Sequence, residues 1–415
     1  MKKSASAKPA VPEVLAPSDA ARVARRRGVR VGGRVVGVDG TRVIVADALG
    51  SIVVELARPA KLAVGELVVV QGAMASQRGP GPSRLAGATL VERHAGKEPT
   101  GQSEFWRVAI RPLGRALAAR SDAFAEIRSY FEKERFVEVD TPVLVPAPGL
   151  DAHVEALRAG RGYLATSPEF HMKRLLAGGL PRIYQLGHCF RADEAGAWHE
   201  PEFMLLEWYR SFARIEDVIG DTERIVCRVV ERLAGSRRIV CAGRAVEVRA
   251  PFERMTVARA FARFAGESDA SALAERDEER FFELLVERVE PSLARARRPV
   301  FLTDYPAALA ALARRSPRDT RVAERFELYL GGIELSNGYG ELTDAAEQAA
   351  RFRAERARRR REKRPVYPVD ARFISALAEG MPPAAGNALG VDRLIALALG
   401  RDGIGAVTAF RREDG

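Results

Sequence analysis

Aromatic residues are missing from the first quarter of this 415-residue chain: no Phe, Tyr or Trp precedes Phe105. Single-strand readers stack bases on such rings at about 1 to 3 kcal/mol per base, so a module in this stretch is not expected to read RNA bases. Cysteine is scarce: Cys189, Cys227 and Cys241 are widely spaced and form no CxxC pair, which argues against a disulfide framework or a zinc site. Long apolar runs are absent too, because even the run around Leu394 to Leu399 is flanked by charges within a few residues. No transmembrane helix is therefore expected. The stretch from Met1 to Arg27 carries lysines but no apolar segment of the export type. It mixes Ala, Pro and Ser with Arg25, Arg26 and Arg27, and reads as a disordered tail. A reducing cytoplasm fits this composition.

What the chain has in excess is positive charge, formally +11. That predicts an anionic partner: nucleic acid, nucleotide or acidic protein. Much of the excess lies in Arg356 to Arg364, readable as a solvated helix face or as a docking patch. The length exceeds what a single core usually supports, so two domains are expected.

Five short β-rich runs between Val29 and Val91, punctuated by Gly, Asp and Pro, predict a small OB-like β-barrel over residues 28–94. Gly79 to Pro82 reads as its last loop, Arg58 to Gly65 leaves little room for a helix, and residues 95–114 read as a linker. Beyond Ser121, apolar residues at Phe124, Ile127, Tyr130 and Phe131 mark an amphipathic helix, and Pro142 ends helical continuation. The runs RIYQLGHCF, EFMLLEWYRSF, FELYL and IELSNGYGEL follow, the last two joined by Gly331 and Gly332 in a two-residue hairpin. An α+β domain over 115–415 is the reading: an antiparallel sheet with helices beside it and a helical insertion at about 215–299.

Period-two geometry puts Phe203, Leu205, Glu207 and Tyr209 on one strand face, and Asn337, Tyr339 and Glu341 on another. Carboxylates on a core face cost several kcal/mol unless paired or metal-bound, so these faces predict a functional pocket rather than packing. A surface-exposed sheet face is the alternative. Glu327 and Glu334 lie on opposite arms of the hairpin, where they could hold a hard cation or simply face solvent. Arg191 and Arg393 sit inside otherwise apolar segments, suiting guanidinium groups held for phosphate or carboxylate recognition.

These segments carry a resemblance. FEKERFVEVDTPVL, FRADEAGAWHEPEFMLLEWY and GNALGVDRLIAL resemble motifs 1, 2 and 3 of the class II aminoacyl-tRNA synthetases, in that order. TSPEFHMKRLL, RVAERFELYLGGIELSNGYGELTDAAEQ and GMPPAAG resemble the lysyl branch, most closely its truncated paralogues, the ligases that attach lysine to elongation factor P. The likeness covers about Arg115 to Phe410. It implies that Arg191 bridges the ATP α-phosphate and the amino-acid carboxylate, that Phe203 stacks on adenine, and that Arg393 holds the γ-phosphate. It further implies that His199 and Glu194 contact ATP and that Glu327 and Glu334 hold Mg²⁺. Glu169 and Glu207 would meet the amino group near the carboxylate, Tyr209 and Glu341 the ε-ammonium, and Asn337 the carboxylate, with Tyr339 beside it. The site would be that of a homodimer whose motif 1, with Pro142, forms the interface.

An anionic pocket suits a substrate with two ammonium groups, and no Lys or Arg occurs in GIELSNGYGEL to receive an aspartate side chain. Lysine or β-lysine is expected. Ala388 stands where lysyl-tRNA synthetases usually carry glycine and the paralogues carry alanine. That favours β-lysine, though one methyl is worth only about 1 to 3 kcal/mol of discrimination. The truncated paralogues usually lack a barrel module, so lysyl-tRNA synthetase is the alternative reading, and an inactive synthetase-like binding protein a minor one. The aromatic-free barrel makes tRNA the less expected acceptor.

Overall fold

In the computed structural model the described residues are 13–23, 27–75, 82–150, 154–192 and 195–411. The chain divides into two compact units, Met1–Ala118 and Ala119–Gly415.

The first unit is built on the strands Val29–Asp39, Arg42–Ala46, Ser51–Leu56, Leu67–Met74 and Arg84–His94. The last strand inserts parallel to Ser51–Leu56, and Val29–Asp39 pairs with Leu67–Met74 to close a five-stranded OB-like barrel. Alternating apolar residues point inward, giving an aliphatic core that includes Val31, Val45, Ile52, Val70 and Leu85. No helix interrupts residues 57–66, as expected. The expected loop at Gly79 to Gly81 lies outside the described residues. Part of the expected tail is structured: Val14–Leu15 adds a parallel strand to Val29–Asp39, and Pro17–Ala20 forms a helical turn with Ala20 fully buried. Edge pairing and one buried methyl order a segment whose composition gave no signal.

The second unit is organised by an eight-stranded sheet. Its order is Glu253–Thr256, Val300–Pro306, Val322–Leu330, Ile333–Gly340, Ala384–Gly390, Glu202–Ser211, Arg182–Phe190 and Val137–Glu138. The inner strands are antiparallel and only the two outermost run parallel to their neighbours. Gly331 and Gly332 form the expected hairpin, both at positive φ (60° and 85°), as a type I′ turn demands. One sheet face packs on the helices Ile215–Ala234 and Val391–Ala398. Trp208 and Leu206 are buried on it, and Asn387 donates to Thr222 Oγ1 at 2.8 Å. Asp221 on the first of these helices is fully buried but satisfied by Arg210, Arg224 and Tyr130.

The segment expected as one helical insertion, 215–299, divides. Ile215–Ala234 is the helix backing the sheet, Arg238–Cys241 and Arg244–Glu247 form a hairpin, and Glu253–Thr256 is the sheet edge. Only 257–293 is a helical lobe, packed around Phe261 and Phe281. All three cysteines are free and buried, with burial pushing each thiol up. Among the described residues no helix is long and apolar enough to cross a membrane.

Candidate functional site

The opposite sheet face bears the polar side chains. Strand register aligns Gln185, Glu207, Ala388, Asn337 and Glu327 in one row across five strands. The row beside it holds Tyr209, Gly386, Tyr339 and Arg325. Such rows arise because side chains two apart share a face, so paired strands stack their alternate positions. All of these residues except Gln185 floor a cavity of about 790 Å³, ample for a nucleotide and an amino acid.

Of the fourteen residues singled out in the sequence, thirteen line this one cavity: Glu169, Arg191, His199, Phe203, Glu207, Tyr209, Glu327, Glu334, Asn337, Tyr339, Glu341, Ala388 and Arg393. Glu194 lies outside the described residues. Glu334 needs a special device to get there. Glu327 faces Asn337 and Tyr329 faces Glu334, so two residues, Leu335 and Ser336, separate Glu334 from Asn337 where strict alternation allows one. This β-bulge turns Glu334 onto the cavity face.

At one end the helix Glu169–Ala177 stands over the sheet and brings in a residue the sequence reading missed. Lys173, 1% exposed, donates to Glu169 and lies 2.6 Å from a Glu341 carboxylate oxygen. Burial opposes its charge, but the two carboxylates outweigh that and push its pKa up. Its spacing of four from Glu169 was the available signal. Glu207 accepts from Tyr209 at 2.6 Å and from Ser167 at 2.8 Å. Burial and the Glu169 charge nonetheless push its carboxyl up to about 8. Burial and Glu169 likewise push Glu341 up to about 7, against the pull of Lys173. With all groups ionised, three carboxylates and one ammonium leave two negative charges. That arrangement attracts a dication and repels an acidic side chain.

At the other end the groups are of opposite character. The Arg191 guanidinium lies 5.1 Å from the Phe203 ring centroid. Arg393 donates to the Glu334 carbonyl at 2.9 Å, to the Trp198 carbonyl at 3.1 Å, and to His199 Nε2 at 2.6 Å. That last bond requires a neutral imidazole with its proton on Nδ1. Glu327 is gripped by Tyr305, by Tyr329 at 2.8 Å and by Arg325 at 2.7 Å, all further residues the sequence reading missed. Burial, then the Glu327 charge, push Glu334 up to about 7, and the same two causes raise Glu290 on the facing lobe. Carboxylates that resist ionising side by side are a donor set that a divalent cation would relieve. Among the described residues, no three His, Cys, Asp or Glu side chains cluster as a complete protein-only metal site.

The Arg356–Arg364 run is partly inward-facing. Arg359, fully buried, pairs with Glu155 and Glu355 at 3.1 Å. Arg364 pairs with Glu155 at 2.5 Å, and Arg358 with Glu278 and Glu362 at 2.7 Å. The docking-patch reading keeps only the exposed remainder, including Arg360, Arg361 and Lys363.

A family model described as tRNA synthetases class II (D, K and N) matches residues 104–414. The elongation factor P–(R)-β-lysine ligase of Hamiltonella defensa subsp. Acyrthosiphon pisum is 39% identical over 310 residues, covering 71% of this chain and 94% of its own length. The proteins of the same name from Vibrio cholerae and Vibrio parahaemolyticus are 40% and 41% identical, over 307 and 310 residues, with the same coverage. With the second and third motifs lining one cavity and a family match over most of the length, the chain belongs to the class II tRNA synthetases of the D, K and N group.

Proposed function

We propose that the protein is a ligase that activates lysine or β-lysine with ATP and passes it to a lysine ε-amine of elongation factor P. The observation that carries this is the pairing, in one cavity, of a pocket with three carboxyl groups around one lysine and an arginine-lined end suited to phosphates. Relatives bearing the elongation factor P ligase name support the acceptor. Family membership implies ATP use.

The roles follow from charge and position. Glu169 and Glu207 receive the amino group near the carboxylate, Tyr209 and Glu341 receive the distal ammonium, and Asn337 faces the carboxylate, with Tyr339 beside it. Phe203 stacks on adenine, with His199 and Glu194 as further ATP contacts. Arg191 spans the α-phosphate and the substrate carboxylate, and Arg393 the γ-phosphate. The ionised carboxylate attacks the α-phosphorus, forming an acyl–phosphate bond as pyrophosphate departs, so no general base is needed. A neutral acceptor amine then attacks the carbonyl, the carbonyl–phosphate bond breaks as AMP leaves, and the surplus N–H proton passes to water. Positioning and charge neutralisation do most of this work. A Mg²⁺ ion held by Glu327 and Glu334 would neutralise phosphate charge. Ala388, between Glu207 and Asn337 in the floor row, places a methyl against the substrate and favours the β-isomer.

Exposed Val137, Val143 and Leu144 around Pro142 support a homodimer through motif 1. The division into a tail, a barrel over 28–94, a linker to 114 and a catalytic domain is retained, with the tail shortened by residues 14–20. No membrane role is proposed, and a cytoplasmic location is. The OB-like barrel supports lysyl-tRNA synthetase as the second reading. The test is label transfer from radiolabelled lysine or β-lysine, with ATP and Mg²⁺, to purified elongation factor P and to bulk tRNA in parallel. Label on the protein supports the ligase; label on tRNA alone overturns it.

A further inference from the structure

One polar side chain in the cavity has no part in the roles above. Gln348 lies on the helix Ala345–Arg361, lines the cavity, and is 1% exposed. Neither its Nε2 nor its Oε1 has a hydrogen-bond partner among the described residues. An unpaired buried amide is costly, about 1 to 3 kcal/mol, and native interiors rarely keep one unless something else satisfies it. Its neighbours on the helix locate it. Phe352, one turn on, stacks obliquely on Phe170, the residue after Glu169, with centroids 5.5 Å apart. Arg351 donates to the carbonyls of Ala311 and Ala313 at 2.7 and 2.8 Å, and Ala313 bridges to Glu341. Gln348 therefore belongs to the wall that carries Glu169 and Glu341.

An alkyl ammonium has three N–H donors. Glu341 offers one acceptor at this end, and the Tyr209 oxygen, whose own proton goes to Glu207, offers a second. A third is missing from the roles assigned so far. We propose that Gln348 is a specificity-determining residue whose Oε1 accepts the remaining hydrogen bond of the substrate's distal ammonium. This rests on the lysine-class reading of the pocket. Loss of the amide leaves a buried ammonium donor unsatisfied, which a site built around polar complementarity punishes strongly.

The test is Gln348→Met, which keeps length and volume while removing both polar atoms. Pyrophosphate exchange into ATP is measured with lysine and β-lysine, and norleucine serves as an inhibitor that keeps the carboxylate and α-ammonium but lacks the distal ammonium. The expected result is a 10- to 100-fold rise in KM for whichever isomer the wild type uses. KM for ATP and the norleucine inhibition constant stay within about twofold, and the melting temperature of the unliganded protein is unchanged or higher, since an unsatisfied amide has gone. An unchanged amino-acid KM overturns the proposal. So does a parallel weakening of norleucine, or a lowered melting temperature with both KM values raised, which marks a structural residue. Failure of the wild type to exchange pyrophosphate with either isomer instead overturns the lysine-activation reading beneath it.

Discussion

In the unliganded pocket burial and the Glu169 charge push Glu207 up to about 8 and Glu341 up to about 7. A dicationic amino acid favours the ionised forms, so binding expels the protons these carboxyls hold. At pH 6.5 a carboxyl titrating near 8 weakens binding by a factor of about 33, and at pH 8.0 by about 2. The matching factors for one titrating near 7 are about 4 and 1.1. Together they predict that affinity for the preferred lysine isomer rises about 60-fold between pH 6.5 and 8.0, with between one and two protons released at the acid end. Calorimetric titration in buffers of different ionisation enthalpy reads both quantities. Stability of the unliganded protein runs the other way. These carboxyls titrate higher in the folded chain than their unfolded value of 4.5, so the folded state holds more protons in between. Their contribution is fully present below about pH 4.5 and is lost as pH climbs through 7 and 8. An affinity flat across this window, with no proton release, would refute the reasoning, because the pocket would already be ionised and its attraction for a dication would lie elsewhere.

Three further outcomes are expected. Lys173→Met strips the cation between Glu169 and Glu341, and breaking a buried pair costs about 3 to 5 kcal/mol. Thermal melts should show a larger loss at pH 8 than at pH 6, where the carboxyls can take up protons; a pH-independent loss would contradict this. Gly386→Ala places a Cβ 2.3 Å from the Tyr209 ring and 2.8 Å from Glu341 Oε1. Amino-acid-dependent pyrophosphate exchange should fall at least 100-fold while ATP still protects against unfolding, and retained exchange would show that the pocket floor lies elsewhere. Ala388→Gly should shift the ratio of kcat/KM toward α-lysine by about 10- to 100-fold, on the scale of one methyl. An unchanged ratio in parallel assays of the two isomers would remove Ala388 from the selectivity argument.

Most of the candidate site was legible because it rests on local rules. Alternation along a strand placed Phe203, Glu207 and Tyr209 together, the Gly331–Gly332 turn announced its hairpin, and three ordered motifs pointed to a class II sheet. The aliphatic barrel was equally readable from short alternating runs. Tertiary structure decided what depends on contacts between distant segments. The bulge at Leu335 and Ser336 turns Glu334 into the cavity, a reversal that no alternation rule marks in advance. Lys173 meets Glu341, far along the chain, only when its helix is laid over the sheet. Glu155 draws Arg359 and Arg364 inward from a run that composition alone read as solvated or docking. Local sequence dictates which face a side chain takes on its own element. Which charges meet, and so which carboxyls hold protons, is set only when the elements pack, because Coulomb and burial energies depend on through-space distance rather than chain order.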